Sequence, residues 1–162
     1  MPLVQSCEET HALAARLAPR LRAGDVVALR GEMGAGKTEF VRGLARALGF
    51  TGRVLSPTYT LAARYGASTP IDHLDAYFAE KERAFLAEGG AELLGGEGIA
   101  VVEWPERVEE FLPADRLEIE IAVAGDAAAR TIGARGTGPR GRALAEAIEP
   151  GGASLRSREA CS

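Results

Sequence analysis

Apolar residues recur along this chain in two rhythms. Leu13, Leu17 and Leu21 stand four apart, and Phe40, Val41, Leu44 and Leu48 fall on one side of a 3.6-residue spiral; both stretches predict amphipathic helices. Ser6-Cys7-Glu8-Glu9 reads as a capping box for the first, and Gly49 ends the second. Val26 to Leu29 and Ile99 to Trp104 are near-continuous apolar runs and predict buried strands, whereas Leu117 to Val123 alternates and predicts a strand with one wet face. Shorter strands are expected at Arg53 to Leu55, Ile71 to Leu74 and within ARTIGARG, with helices over Lys81 to Glu88, Ala91 to Leu94 and Arg142 to Glu149. The pattern predicts one α/β domain over residues 1–149, with a central mixed, largely parallel sheet flanked by helices, and a flexible tail over 150–162.

Between the strand at Val26 and the helix that follows lies Gly31-Glu32-Met33-Gly34-Ala35-Gly36-Lys37-Thr38. It satisfies G-x-x-x-x-G-K-[ST] at every fixed position, in the strand–loop–helix setting this loop requires. Glycines let the backbone curl so that successive N–H groups face phosphate oxygens, and the helix N-terminus adds its own donors and dipole. Lys37 would reach the β- and γ-phosphates, and the Thr38 hydroxyl would ligate Mg²⁺. The chain is therefore read as a P-loop NTPase. With no asparagine in the sequence it lacks the N-K-x-D segment that reads guanine, so ATP is favoured.

Such a site needs a carboxylate near the metal, usually at a buried strand end. Glu103 ends one such strand and is the first candidate; Asp75, after Ile71 to Leu74, is the second. His73 shares the face of Asp75 and, as a lone histidine, is expected to be structural. Trp104 is expected at the site's edge. Thr58 and Thr60, beside Ser56-Pro57, resemble a switch segment able to sense a γ-phosphate; the bland reading is a proline-initiated turn running into a strand.

Composition narrows the picture modestly. At 162 residues and a net charge of −4, the chain is large enough for a real core and too acidic for a dedicated nucleic-acid binder. Only Lys37 and Lys81 are lysines among the 19 cationic residues. No apolar run approaches a bilayer span, and the N-terminus lacks the order of a signal peptide. Cys7 and Cys161 make no disulfide framework, so a reducing cytoplasm is expected. Arg130, Arg135, Arg140 and Arg142 form a basic stretch expected to be solvated.

GEMGAGKT, SPTYTL, HLDAY and VVEWPERV, in this order and spacing, resemble the bacterial TsaE (YjeE) family of small P-loop ATPases required for threonylcarbamoyladenosine in tRNA. The resemblance implies ATP and Mg²⁺ in the loop, weak ATPase activity alone, and action with the TsaD transferase and its TsaB companion, whose turnover it sustains. It also implies that Met33, Gly34, Ala35, Gly36, Lys37 and Thr38 bind the phosphates, and that Thr38 and Glu103 hold Mg²⁺. Asp75, Thr58 and Trp104 would complete the active region, with Thr10 near the base and Arg130 after the last core strand. One departure stands out: after H-x-D-x-Y the family usually has arginine, and this chain has Phe78. The residues alone leave open a small-molecule kinase or a nucleotide-sensing scaffold.

Overall fold

The computed structural model describes residues 1–125 and 128–149; the predicted tail over 150–162 lies outside them. Seven strands, β1 (Leu3–Val4), β2 (Val26–Arg30), β3 (Ala62–Tyr65), β4 (Ile71–Asp75), β5 (Ile99–Glu103), β6 (Leu117–Val123) and β7 (Arg130–Gly136), form one sheet in the order β1-β7-β6-β2-β5-β4-β3. The four central strands, β6, β2, β5 and β4, are parallel, while β1, β7 and β3 pair antiparallel at the margins. The predicted mixed, parallel-centred α/β architecture is the one observed. The continuous apolar runs sit on the central strands because helices cover both sheet faces there.

The helices are α1 (Cys7–Leu17), α2 (Lys37–Ala47), α3 (Glu80–Ala87) and α4 (Pro139–Ala145). Ser6 caps α1 by accepting from the Glu9 N–H, while the Glu9 carboxylate accepts from Gln5 N at 2.7 Å, one residue ahead of the expected capping-box donor. The two long helices pack closely because Gly43 of α2 leaves no room for a side chain: a Cβ there would stand 2.6 Å from the His11 Cα. A larger hydrophobic cluster joins α1, α2 and α4 to the sheet. A smaller one gathers Leu74, Leu86, Val102, Val108 and Leu112. Val101 belongs to the first and Val102 to the second, so they lie on opposite sheet faces.

Four expectations need correcting. Arg53 to Leu55 belongs to no strand; its carbonyls are met instead by side chains, Arg42 on Val54 and Tyr65 on Leu55. Ala91 to Leu94 is only a 3₁₀ turn, Gly90–Leu93. The last helix starts and ends earlier than predicted, at Pro139–Ala145, because Pro139 is suited to a first helical turn. The basic stretch is not solvated tail: Arg135 pairs with Glu118, Arg140 with Asp25, and Arg130 bonds to the glycine loop. No helix among the described residues is long and apolar enough to cross a membrane.

Candidate functional site

Parallel register brings three strand ends to one level: Leu29 of β2 and Asp75 of β4 both stand opposite Glu103 of β5. A crevice beyond the carboxyl ends of parallel strands is the usual ligand site of such sheets, and here a cleft of about 500 Å³ opens there. Among the residues singled out in the sequence, it is lined by Met33, Gly34, Gly36, Lys37, Thr38, Thr58, Asp75, Glu103 and Trp104. Ala35 is buried within the loop. Gly36 holds φ 107° immediately before α2, a conformation other residues rarely adopt, and turns the chain so that Lys37 and Thr38 begin the helix facing the cleft. A helix N-terminus aimed at a cleft presents unpaired N–H donors and a positive dipole end, hence an affinity for anions.

The two carboxylates are held differently. Glu103 Oε1 accepts from Thr38 Oγ1 at 3.0 Å and lies 2.7 Å from His73 Nε2. His73 is fully buried, and its Nδ1 is 2.9 Å from the Tyr65 hydroxyl, itself 3.1 Å from Leu55 O. Burial, with the Glu103 charge nearby, pushes the Tyr65 phenol up to about 12, so it keeps its proton. Asp75 Oδ2 accepts from Thr58 Oγ1 at 2.7 Å and from Ser56 Oγ at 2.9 Å, and Oδ1 accepts from Tyr77 N at 3.0 Å. Lys37 Nζ donates to Gly31 O at 2.6 Å and Glu32 O at 2.9 Å. Burial lowers its pKa from the ordinary lysine value, opposed by Glu103, Asp75 and Glu106.

The rim is aromatic. Lys37 Nζ stands 4.2 Å from the Trp104 ring centroid, and the Arg107 guanidinium is 5.1 Å from both Trp104 and Tyr77. Tyr59, 89% exposed, faces Phe78 at 5.9 Å. Phe78, the departure from the pattern that the resemblance implies, thus lies on the cleft wall, and Arg83, the nearby arginine, pairs with Glu110. Leu61, Ala79 and Trp104 are the non-glycine residues with positive φ among those described, and each ends or follows a segment bordering the cleft. Such backbone costs on the order of 1–3 kcal/mol per residue and gathers at working sites.

Besides the buried Ala35, two more expected residues, Thr10 and Arg130, lie outside the cleft lining. Thr10 is buried in the first turn of α1, its hydroxyl donating to Ser6 O at 3.3 Å. Arg130 supports the loop from behind, with Nε on Ala35 O at 2.9 Å and Nη2 on Gly34 O at 3.3 Å. Ser56, Tyr65, Tyr77 and Arg107 were not expected at the site. Ser56 was within sight, two residues from Thr58, but the Tyr65 role depends on the β3–β4 register, which no local spacing reveals.

A parallel-centred α/β domain, whose central strand runs through a glycine loop into a helix beside two acidic strand ends, defines the class of protein. A family model for the threonylcarbamoyl adenosine biosynthesis protein TsaE matches residues 4–132, and the chain belongs to that family. It is 44% identical over 120 residues to the tRNA threonylcarbamoyladenosine biosynthesis protein TsaE of Bacillus subtilis, covering 74% of this chain and 75% of that one. Against the Streptomyces coelicolor protein of the same description, identity is 40% over 134 residues, covering 79% and 90%. The crystal structure of Bacillus subtilis YdiB matches with a TM-score of 0.79 and 36% identity, covering 91% of each chain.

Proposed function

We propose that this protein is a Mg²⁺-dependent ATPase that sustains the turnover of a TsaB–TsaD-type complex in tRNA threonylcarbamoyladenosine synthesis, without forming the threonylcarbamoyl group itself. The observation that carries the reading is the convergence of Lys37, Thr38 and Glu103 at the helix end of the cleft. The donor set fits the metal: a hydroxyl and a carboxylate, both hard oxygen ligands, stand 3.0 Å apart. Mg²⁺ takes few protein oxygens and completes its shell with water and phosphate, and among the described residues no larger acidic or histidine cluster forms a metal cage. When bound, the ion would neutralise charge on the transferring phosphoryl group.

The chain's own residues do the remainder. Thr38 and Glu103 hold the ion, and His73 fixes the Glu103 carboxylate from behind. Lys37, released from two loop carbonyls, turns its ammonium to the terminal phosphates. Asp75, which borders the same cleft, takes the proton of the attacking water. Trp104 and Tyr77 wall the cleft. The net charge of −4 leaves tRNA binding mainly to the partners.

The test is steady-state phosphate release from ATP, alone and with purified TsaB and TsaD. Slow release alone, a rise with the partners, and a loss of at least about a hundredfold in Lys37→Ala are expected. No partner effect in a folded, ATP-binding protein would defeat the partnership, and turnover that survives Lys37→Ala would defeat the assignment of the site.

A further inference from the structure

A surface helix is held to its domain by the apolar residues of its inner face, and α3 has few of them. Its buried residues are Glu82 and Leu86, one turn apart, with Phe85 partly buried beside them. By contrast, α2 buries Phe40, Val41 and Leu44 together. Glu82 is 2% exposed, and neither of its carboxylate oxygens has a hydrogen-bond partner. Burying a carboxylate in this way opposes docking, because the ionised group loses its hydration and gains no hydrogen bond in exchange.

Both ends of the helix add to this bias. The chain enters α3 through Ala79, at φ 61° with no capping side chain, and leaves it through Gly89 at φ 122°. Positive φ strains the alanine and is relieved when the helix lets go. The ion pair from α3 to the rest of the fold, Arg83 with Glu110 at 2.8 Å, joins two half-exposed side chains and is screened by water. We propose that α3 is a flap: hinged at Ala79 and Gly89, it opens into solvent while the sheet, α1 and α2 stay folded, and the unpartnered Glu82 carboxylate is what drives it open.

The first hinge adjoins the cleft. Ala79 directly follows Tyr77 and Phe78, both on the cleft wall. Ala79 N donates to Ala76 O at 3.1 Å, and Glu80 N donates to Phe78 O at 2.7 Å, so the backbone of the wall and the start of the helix share one turn. The Tyr77 carbonyl accepts from Arg107, and its ring packs edge-on against Trp104 at 5.5 Å. Opening α3 also removes Leu86 from the smaller cluster, uncovering Leu74, Val102, Val108 and Leu112, against which Trp104 packs. The flap therefore loosens the aromatic wall when it opens and stiffens it when it closes. This device stands whether or not the cleft takes a nucleotide.

The experiment is native-state hydrogen exchange of the full chain without nucleotide, read by peptide mass spectrometry at several low urea concentrations. Amides of 80–87 should exchange at least about a hundredfold faster than the interior amides of α2, at rates nearly indifferent to urea, as a local opening does. Glu82→Leu should slow their exchange about tenfold or more. Ala79→Gly should slow it about fivefold, because glycine takes the hinge conformation without strain. Acrylamide should quench Trp104 less in Glu82→Leu than in the wild type. Exchange of 80–87 as slow as that of α2, with the same urea dependence, overturns the flap, since the helix would then open only with the whole fold. Fast exchange that Glu82→Leu leaves unchanged overturns the part given to the carboxylate. Equal quenching of Trp104 in the two proteins overturns the link to the cleft wall.

Discussion

A carboxylate at a strand end points where its neighbours hold it, and Glu103 is held on one oxygen by Thr38 and by a histidine with no solvent exposure. That histidine is steadied by the Tyr65 hydroxyl, which also reaches the carbonyl before Ser56. Four side chains and one backbone carbonyl therefore connect the start of α2 to the segment carrying Thr58. Tyr65→Phe removes the link while leaving the ring against Phe50. It should destabilise the fold by about 1–2 kcal/mol, the cost of leaving a buried polar group unpartnered. On the proposed ATPase reading, it should also lower kcat for ATP with little change in KM, because the residues assigned to phosphate are untouched. Urea denaturation and steady-state kinetics together check this, and unchanged stability would mean that the tether carries no weight. Lys37, Thr38 and Glu103 could be read from the sequence because the loop's spacing and a strand end fix their positions. The His73–Tyr65 pair could not, since it arises from antiparallel pairing across a loop: Ala63 stands opposite His73, and Tyr65 opposite Ile71.

At the scale of elements, α1 and α3 begin in contrasting ways. Ser6 supplies a capping oxygen to α1, whereas α3 follows Ala79, which has no side-chain acceptor and sits at φ 61°. The third residue of α3, Glu82, is where a capping-box carboxylate would reach back to the cap N–H. That N–H is already donated to Ala76 O at 3.1 Å. Glu82 is consequently 2% exposed with neither carboxylate oxygen hydrogen-bonded, beside the smaller hydrophobic cluster that includes Leu86. Glu82→Leu should stabilise the protein by about 1–3 kcal/mol, roughly 2–10 °C in Tm for a chain of this size. Calorimetry decides it, and a lower Tm would show that the carboxylate has a role its contacts do not reveal. The existence of α3 was legible from its helical composition. The conflict at its start was not, because it depends on a positive φ at an alanine, which the sequence gives no reason to expect.

For the whole molecule, the arginine-rich composition has a structural use that net charge conceals. Glu118 of β6 is buried and accepts from Arg30 at the end of β2, from Arg116 beside it, and from Arg135 of β7. One carboxylate thus joins the parallel centre of the sheet to its antiparallel margin, where β7 also presents Arg130 to the glycine loop. The basic segment, read from sequence as solvated, is part of this framework because its strand returns antiparallel to β6 and sets Arg135 directly opposite Glu118. Burial pushes the Glu118 carboxyl up, but hydrogen bonds from Arg135, Arg116 and Arg30 outweigh it and bring the pKa down from 4.5 to about 2. A depressed carboxylate stabilises the fold fully above its unfolded value near 4.5 and loses that contribution as pH falls toward 2. Glu118→Gln should therefore cost on the order of 2 kcal/mol at pH 7, a figure already reduced because Arg135 is largely exposed and screened. The cost should shrink below pH 4.5, as the wild-type carboxyl takes up its proton and comes to resemble the neutral amide. Urea denaturation of both proteins between pH 7 and pH 3 tests this. A difference that stays constant across that range would show that the amide's shape, and not the lost charge, is what the three arginines feel.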